Sequence, residues 1–206
     1  TTYCSVSYNS LAYGNGLYIA IPGGYNTSAQ SSYATSPDGI SWTKRYLPSS
    51  KAWSVVEYGG NRFVVLDSGS TAAYSSDGIN WAQVTMPVSK PWFDIAHGAG
   101  TFVAVAAGPG RPSTDVYLTS PDGITWTKRL FPFSSQWGAI GFMEEASSWT
   151  ALAYGTHCVT SDDAINWTVR GIISSTADGS SGGYTGIVHI DGYLSQNVFL
   201  PLAECS

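Results

Sequence analysis

Charge is what this 206-residue chain has least of: Asp, Glu, Lys and Arg together make up only 11% of it. With 9 basic and 14 acidic side chains the net charge is −5, and the basic face that would hold nucleic-acid phosphates is missing. No apolar run approaches the ~20 residues of a membrane-spanning helix, so no membrane insertion is expected. No segment keeps a helical apolar period beyond about two turns, and the helix formers Leu, Glu and Lys are scarce. Neither a Gly-x-Ser-x-Gly elbow nor a phosphate loop occurs. The three histidines, His97, His157 and His189, are not spaced as metal ligands, so neither a metal nor a cofactor is expected. Thr1-Thr2-Tyr3-Cys4 does not read as a signal peptide, which leaves a removed leader, a larger parent protein or another export route.

What is abundant is Ser, Thr, Gly, Val and aromatic residues, the last at 14%, a composition of strands and turns. One phrase recurs four times: Ser36-Pro37-Asp38-Gly39-Ile40-Ser41-Trp42, Ser75-Ser76-Asp77-Gly78-Ile79-Asn80-Trp81, Ser120-Pro121-Asp122-Gly123-Ile124-Thr125-Trp126 and Ser161-Asp162-Asp163-Ala164-Ile165-Asn166-Trp167. A period near forty residues marks a repeat architecture. Before each copy stands an aromatic residue, then a tight turn of the Tyr-Gly-Gly-Asn type and a hydrophobic strand. These units start near Tyr8, Trp53, Trp92, Trp137 and Tyr184. In the second unit the spacing predicts strands over 53–58, 62–67, 71–75 and 80–86. Asn and Gly supply the positive φ of the first turn, and the last residue of Ser-x-Asp-Gly supplies it in the second. Ala164 replaces that glycine in the fourth copy and is expected to be mildly strained.

Four short antiparallel strands per repeat predict an all-β chain: a single five-bladed β-propeller over 1–206. The fifth unit lacks its own turn motif, so residues 1–7 are expected to complete the last blade. Pairing the N- and C-terminal strands would close the ring and remove an exposed edge. Cys4 and Cys205 then come together, either bridged or as two free thiols.

The Ser-x-Asp-Gly-x-x-Trp phrase resembles the Asp-box of sialidase-like propellers. Together with the Tyr-Gly-Asn-Gly phrase it is similar to repeats in bacterial surface proteins and phage tail-fibre or receptor-binding proteins. That resemblance implies that Asp38, Asp77, Asp122 and Asp162 accept hydrogen bonds from turn amides. It implies too that Trp42, Trp81, Trp126 and Trp167 fill the space between sheets. It does not imply sialidase chemistry here, because Arg45, Arg129 and Arg170 each follow a motif Trp by three residues and point alike on separate blades instead of converging on one carboxylate.

Function is expected to be non-catalytic recognition of a cell-surface glycan or receptor, in an adhesin or a tail-fibre tip, extracellular or on a virion surface. The acids outside the turns, Glu57, Asp67, Asp94, Asp115, Glu144, Glu145, Asp178, Asp191 and Glu204, read as scattered over different loops and not as the convergent pair a glycosidase needs. The candidate contacts are Tyr8, Trp53, Trp92, Trp137 and Tyr184, whose rings could stack on sugars, with Lys51, Lys90 and Gln136 just before three of them. The same five aromatics read equally as core residues. Two other readings stay open: a structural or protein-interaction propeller among other chains of an assembly, and a glycan-cleaving enzyme.

Overall fold

A computed structural model describes residues 8–22, 30–107, 110–154 and 157–171. They form sixteen strands in four separate four-stranded antiparallel sheets, with no helix among the described residues. Blade 1 holds β1 (Tyr8–Gly14), β2 (Leu17–Pro22), β3 (Gln30–Ser36) and β4 (Thr43–Lys51). Blade 2 holds β5 (Trp53–Gly59), β6 (Arg62–Asp67), β7 (Thr71–Ser75) and β8 (Ala82–Thr85). Blade 3 holds β9 (Trp92–Gly98), β10 (Thr101–Ala106), β11 (Thr114–Ser120) and β12 (Thr127–Ser135). Blade 4 holds β13 (Trp137–Met143), β14 (Ser148–Ala153), β15 (His157–Ser161) and β16 (Thr168–Gly171).

Within each sheet the strands pair in chain order, as short hairpins dictate. The hairpins form where Asn and Gly adopt positive φ: Asn15 at 48°, Gly16 at 73°, Gly60 at 53° and Asn61 at 58°. The first strands, β1, β5, β9 and β13, lie side by side in succession and form the inner edge of the array. The second strands of blades 1 to 3 are near-continuous apolar runs because both of their faces are covered. In β6, Phe63 and Val65 join the cluster shared with blade 1, whereas Val64 and Leu66 join the one shared with blade 3. In β10, Phe102 and Ala104 face blade 2, and Val103 and Val105 face blade 4. The strand period of two thus sends alternate side chains into successive seams. Each such burial stabilises the stack by roughly 1.5–3 kcal/mol.

Four sheets are described rather than five blades. Tyr184, Cys4, Cys205 and the terminal pairing lie outside the described residues. Cys158, on β15, is a half-buried free thiol.

Candidate functional site

The four Ser-x-Asp turns are built alike. In blade 1 the Ser36 hydroxyl donates to Asp38 Oδ1 (2.9 Å) and accepts from the Gly39 amide (2.9 Å), while Asp38 Oδ1 also accepts from the Ile40 and Ser41 amides (2.8 Å each). Asp77 and Asp122 repeat the pattern. In the fourth copy the acid is Asp163, which accepts from the Ile165 amide (2.8 Å) and the Asn166 amide (2.7 Å). This corrects the expectation for Asp162. The acid must stand two residues after the serine, and Asp162 takes the place of Pro37, Ser76 and Pro121. The amides of Ser41 and Ile40 hold the Asp38 carboxyl below its usual range, and those of Asn80 and Ile79 do the same for Asp77. The residue after each acid has positive φ, 72° at Gly39, 70° at Gly78, 68° at Gly123 and 58° at Ala164, so the expectation for Ala164 holds.

Three of the four motif tryptophans fill seams, Trp81, Trp126 and Trp167. Trp42 differs: it is 44% exposed, with its Nε1 donating to Gly39 O at 3.1 Å. The repeat arginines serve the framework as well. Arg45, Arg129 and Arg170 donate Nε to Thr35, Thr119 and Thr160 across their own sheets at 2.9, 2.8 and 3.2 Å.

The rings expected to stack on sugars are buried. Trp53, Trp92 and Trp137 are 2%, 1% and 0% exposed. Their indoles donate to the carbonyls of Ser49 (3.1 Å), Gly69 (3.0 Å) and Thr114 (2.8 Å). They present no face to a ligand, because each is buried with its indole N–H anchored to a carbonyl at the end of β4, in the β6–β7 loop or at the start of β11. Tyr8 is the exception, 49% exposed. It lines a cavity of about 490 Å³ with Leu11, Ala20, Ala34 and Trp42 on the side of blade 1 that no other described sheet packs against.

The linkers are stitched to described residues of the β6–β7, β10–β11 and β14–β15 connections at one end of the blades. Lys90 N donates to Gly69 O at 3.1 Å, Tyr154 N to Gln136 O at 2.8 Å, and Gln136 Nε2 to Arg111 O at 2.7 Å. Lys51 and Lys90 are half-buried there. The Lys51 charge also acts on Asp67, a buried carboxyl raised by burial and held by the Thr71 amide at 2.8 Å. Lys51, Lys90 and Gln136 therefore belong to the same end of the molecule, with Gln136 already engaged in the framework.

Sequence reasoning missed one pair. Glu57 and Asp94 stand on strands, not loops, and those strands are the adjacent inner strands β5 and β9. Burial pushes Glu57 up to about 8, helped by the Asp94 charge, and pushes Asp94 up to about 7. Asp94 also ties blades together, accepting from the Ile95 amide and from the Ile140 amide of blade 4, each at 2.9 Å. Both carboxyls are engaged by backbone amides at the inner edge, Glu57 by that of Tyr58 and Asp94 by those of Ile95 and Ile140. Among the described residues no three His, Cys, Asp or Glu side chains gather as a metal set. His97 is a packing residue: its ring lies where a Cβ on Gly59 would stand, 2.0 Å from Cγ. Tyr58 covers Gly14 and Phe142 covers Gly98 in the same way.

No protein-family model and no curated sequence matches the chain. Solved structures do. YCF48 bound to D1 peptide aligns with a TM-score of 0.59 and 15% identity over 83% of this chain and 56% of that one. Virginiamycin B lyase from Staphylococcus aureus aligns at 0.68 and 7% over 88% and 59%. A nidogen/laminin complex aligns at 0.59 and 13% over 80% and 65%. The fold is that of a β-propeller. The chain spans 56–65% of the length of these structures, and one fold carries unrelated activities, so the likeness speaks to architecture alone.

Proposed function

We propose that this chain is a non-catalytic binding domain that engages a polypeptide receptor, outside the cell or on a virion surface, through the end of the blades that carries the linkers. One observation carries the reading. The repeated polar and aromatic groups are consumed by the framework, and the repeat departs from itself chiefly at that end. There the second-to-third-strand loops run seven, three, seven and three residues in blades 1 to 4. Propellers commonly place recognition in such loops, on a rigid scaffold. Burial of Trp53, Trp92 and Trp137 takes away the stacking rings that a sugar ligand would use. Two of the similar structures are described with a peptide or a protein partner. An adhesin or tail-fibre tip is a fitting setting.

The same proposal includes a closed ring of five blades. Blade 1 turns to solvent the positions that blades 2 to 4 bury against the preceding blade: Leu11 is 61% exposed, whereas its counterpart Val56 is 3% exposed. A fifth blade that starts at Tyr184 and is completed by residues 1–7 would supply the cover and bring Cys4 to Cys205. Peptide mapping without reductant should then find a Cys4–Cys205 linked pair.

A glycan ligand is the second reading; it would use Tyr8 and Trp42 around the cavity of blade 1, and so requires that face to stay free of a fifth blade. The deciding experiment offers a multimerised domain to a displayed peptide library and to a glycan array. The proposal expects peptide ligands whose binding is lost in the Lys51→Glu, Lys90→Glu double variant. Glycan hits alone, or peptide binding indifferent to both lysines, would contradict it.

A further inference from the structure

The seam between blades 2 and 3 contains a polar gap that its sister seams do not have. The motif serines set a common register, and three residues before them stand Tyr33, Ala72, Tyr117 and Cys158. At the seam of blades 1 and 2 the Tyr33 hydroxyl accepts from Trp81 Nε1 at 2.8 Å and donates to the Gly78 carbonyl at 2.9 Å. At the seam of blades 3 and 4 the Tyr117 hydroxyl accepts from Trp167 Nε1 at 2.8 Å and donates to the Ala164 carbonyl at 2.9 Å. One oxygen thus connects an indole N–H to the carbonyl that closes the turn. Between blades 2 and 3 the tyrosine is replaced by Ala72, which is wholly buried. Trp126 is 8% exposed, and its Nε1 has no hydrogen-bond partner among the described residues. Gly123 supplies the corresponding turn carbonyl. The nearby cation does not reach the indole group, since Arg62 donates to the neighbouring Asp122 carbonyl and lies over the Tyr74 ring at 5.4 Å.

We infer that the seam between blades 2 and 3 is built to hold a single internal water, which accepts from Trp126 Nε1 and donates to the Gly123 carbonyl in place of the tyrosine hydroxyl. A buried indole N–H without an acceptor is costly, and a buried water needs two or more polar partners, which this pair provides. Replacing tyrosine by alanine removes the ring that carried the oxygen from a seam whose other members, Met86 among them, are apolar. Water is the ligand the chemistry selects, because the position requires one atom that both accepts and donates and the surroundings are otherwise apolar.

The test is a high-resolution crystal structure of the whole chain together with that of Ala72→Tyr. The inference expects an ordered solvent peak within hydrogen-bond distance of both Trp126 Nε1 and Gly123 O. In Ala72→Tyr the tyrosine hydroxyl should replace that peak, with a melting temperature about 2–4 °C higher. Side-chain carbon packed directly over Nε1, with no peak, would overturn it. So would an Ala72→Tyr variant that melts lower or fails to fold, since either shows that the space is already taken by protein atoms.

Discussion

Blades 1 and 3 have strands of seven, six, seven and nine residues, and blades 2 and 4 have strands of seven, six, five and four. β4 and β12 even share one burial pattern. The working unit is therefore two blades long, although the Ser-x-Asp turn marks each of the four described blades. The seams follow the same alternation. Where a long blade meets the next short one, two polar ties cross. One runs through Tyr33 or Tyr117, and the other through Ser10 or Asp94, which accepts from the Val56 or Ile140 amide at 2.9 Å. Where blade 2 meets blade 3, both tying positions are apolar, Ala72 and Val55, and packing carries the contact with help from Arg62. The comparison teaches that the apolar clusters are interchangeable among seams, whereas directional hydrogen bonds distinguish them.

The largest expected effect erases that distinction, because it strikes a feature common to every seam. A Cβ on Gly59 would lie 2.0 Å from Cγ and 2.4 Å from Cβ of His97. Gly59→Ala should lower stability by about 3 kcal/mol in denaturant titration, and Gly98→Ala, which meets Phe142, by a similar amount. Next comes a change confined to the tied seams. Tyr33→Phe leaves the Trp81 N–H and the Gly78 carbonyl unpaired, and Tyr117→Phe does the same to Trp167 and Ala164, each at a cost of about 2 kcal/mol. A loss under about 0.5 kcal/mol in both would show the ties to be incidental.

Much of this was legible in the sequence. The Asn-Gly hairpins, the strand spans of the second blade and the turn aspartates follow from local chemistry, since positive φ and Asx-type bonding are satisfied within a few residues. What escaped depends on contacts between blades. Trp53, Trp92 and Trp137 look the same in sequence whether they line a mouth or a core, and only their packing in the inter-blade clusters settles their burial. Glu57 and Asp94 are 37 positions apart and meet because β5 and β9 are adjacent inner strands. Asp163 could have been found by counting two residues on from Ser161, as Asp38 stands to Ser36. Tyr33, Tyr117 and Ala72 lie outside the repeated phrase, and the position gained meaning only when the two tyrosine hydroxyls reached the next blade and Ala72 did not.

A smaller effect separates the inner edge from the turns by pH. Glu57 and Asp94 have folded pKa values of about 8 and about 7, above the 4.5 and 3.8 of free carboxyls. Between those values the folded chain binds more protons than the unfolded one, so their contribution to stability falls as pH rises through that window. Asp38, Asp77, Asp122 and Asp163 are lowered, so what they contribute is present above the free-carboxyl value and is lost on acidification. Stability should peak on the acid side of neutrality. Glu57→Gln should raise the melting temperature at pH 8, by on the order of 1–2 kcal/mol of stability, and change little at pH 5. A variant equally stable to wild type at both would refute the raised carboxyl. The smallest effect is expected for Ala164→Gly, where relief of a positive φ of 58° offsets the loss of a buried methyl group. The two terms are about 1 kcal/mol each, so the net change in melting should stay within about 0.5 kcal/mol.

The alternation of seams is tested most directly by removing one indole N–H at a time without changing shape, by replacing Trp81, Trp126 or Trp167 singly with benzothienylalanine and measuring unfolding free energy. Positions 81 and 167 should each lose about 1–2 kcal/mol, and position 126 less than half of that. Equal losses at all three positions would contradict the two-blade unit and the distinct chemistry assigned to the seam between blades 2 and 3.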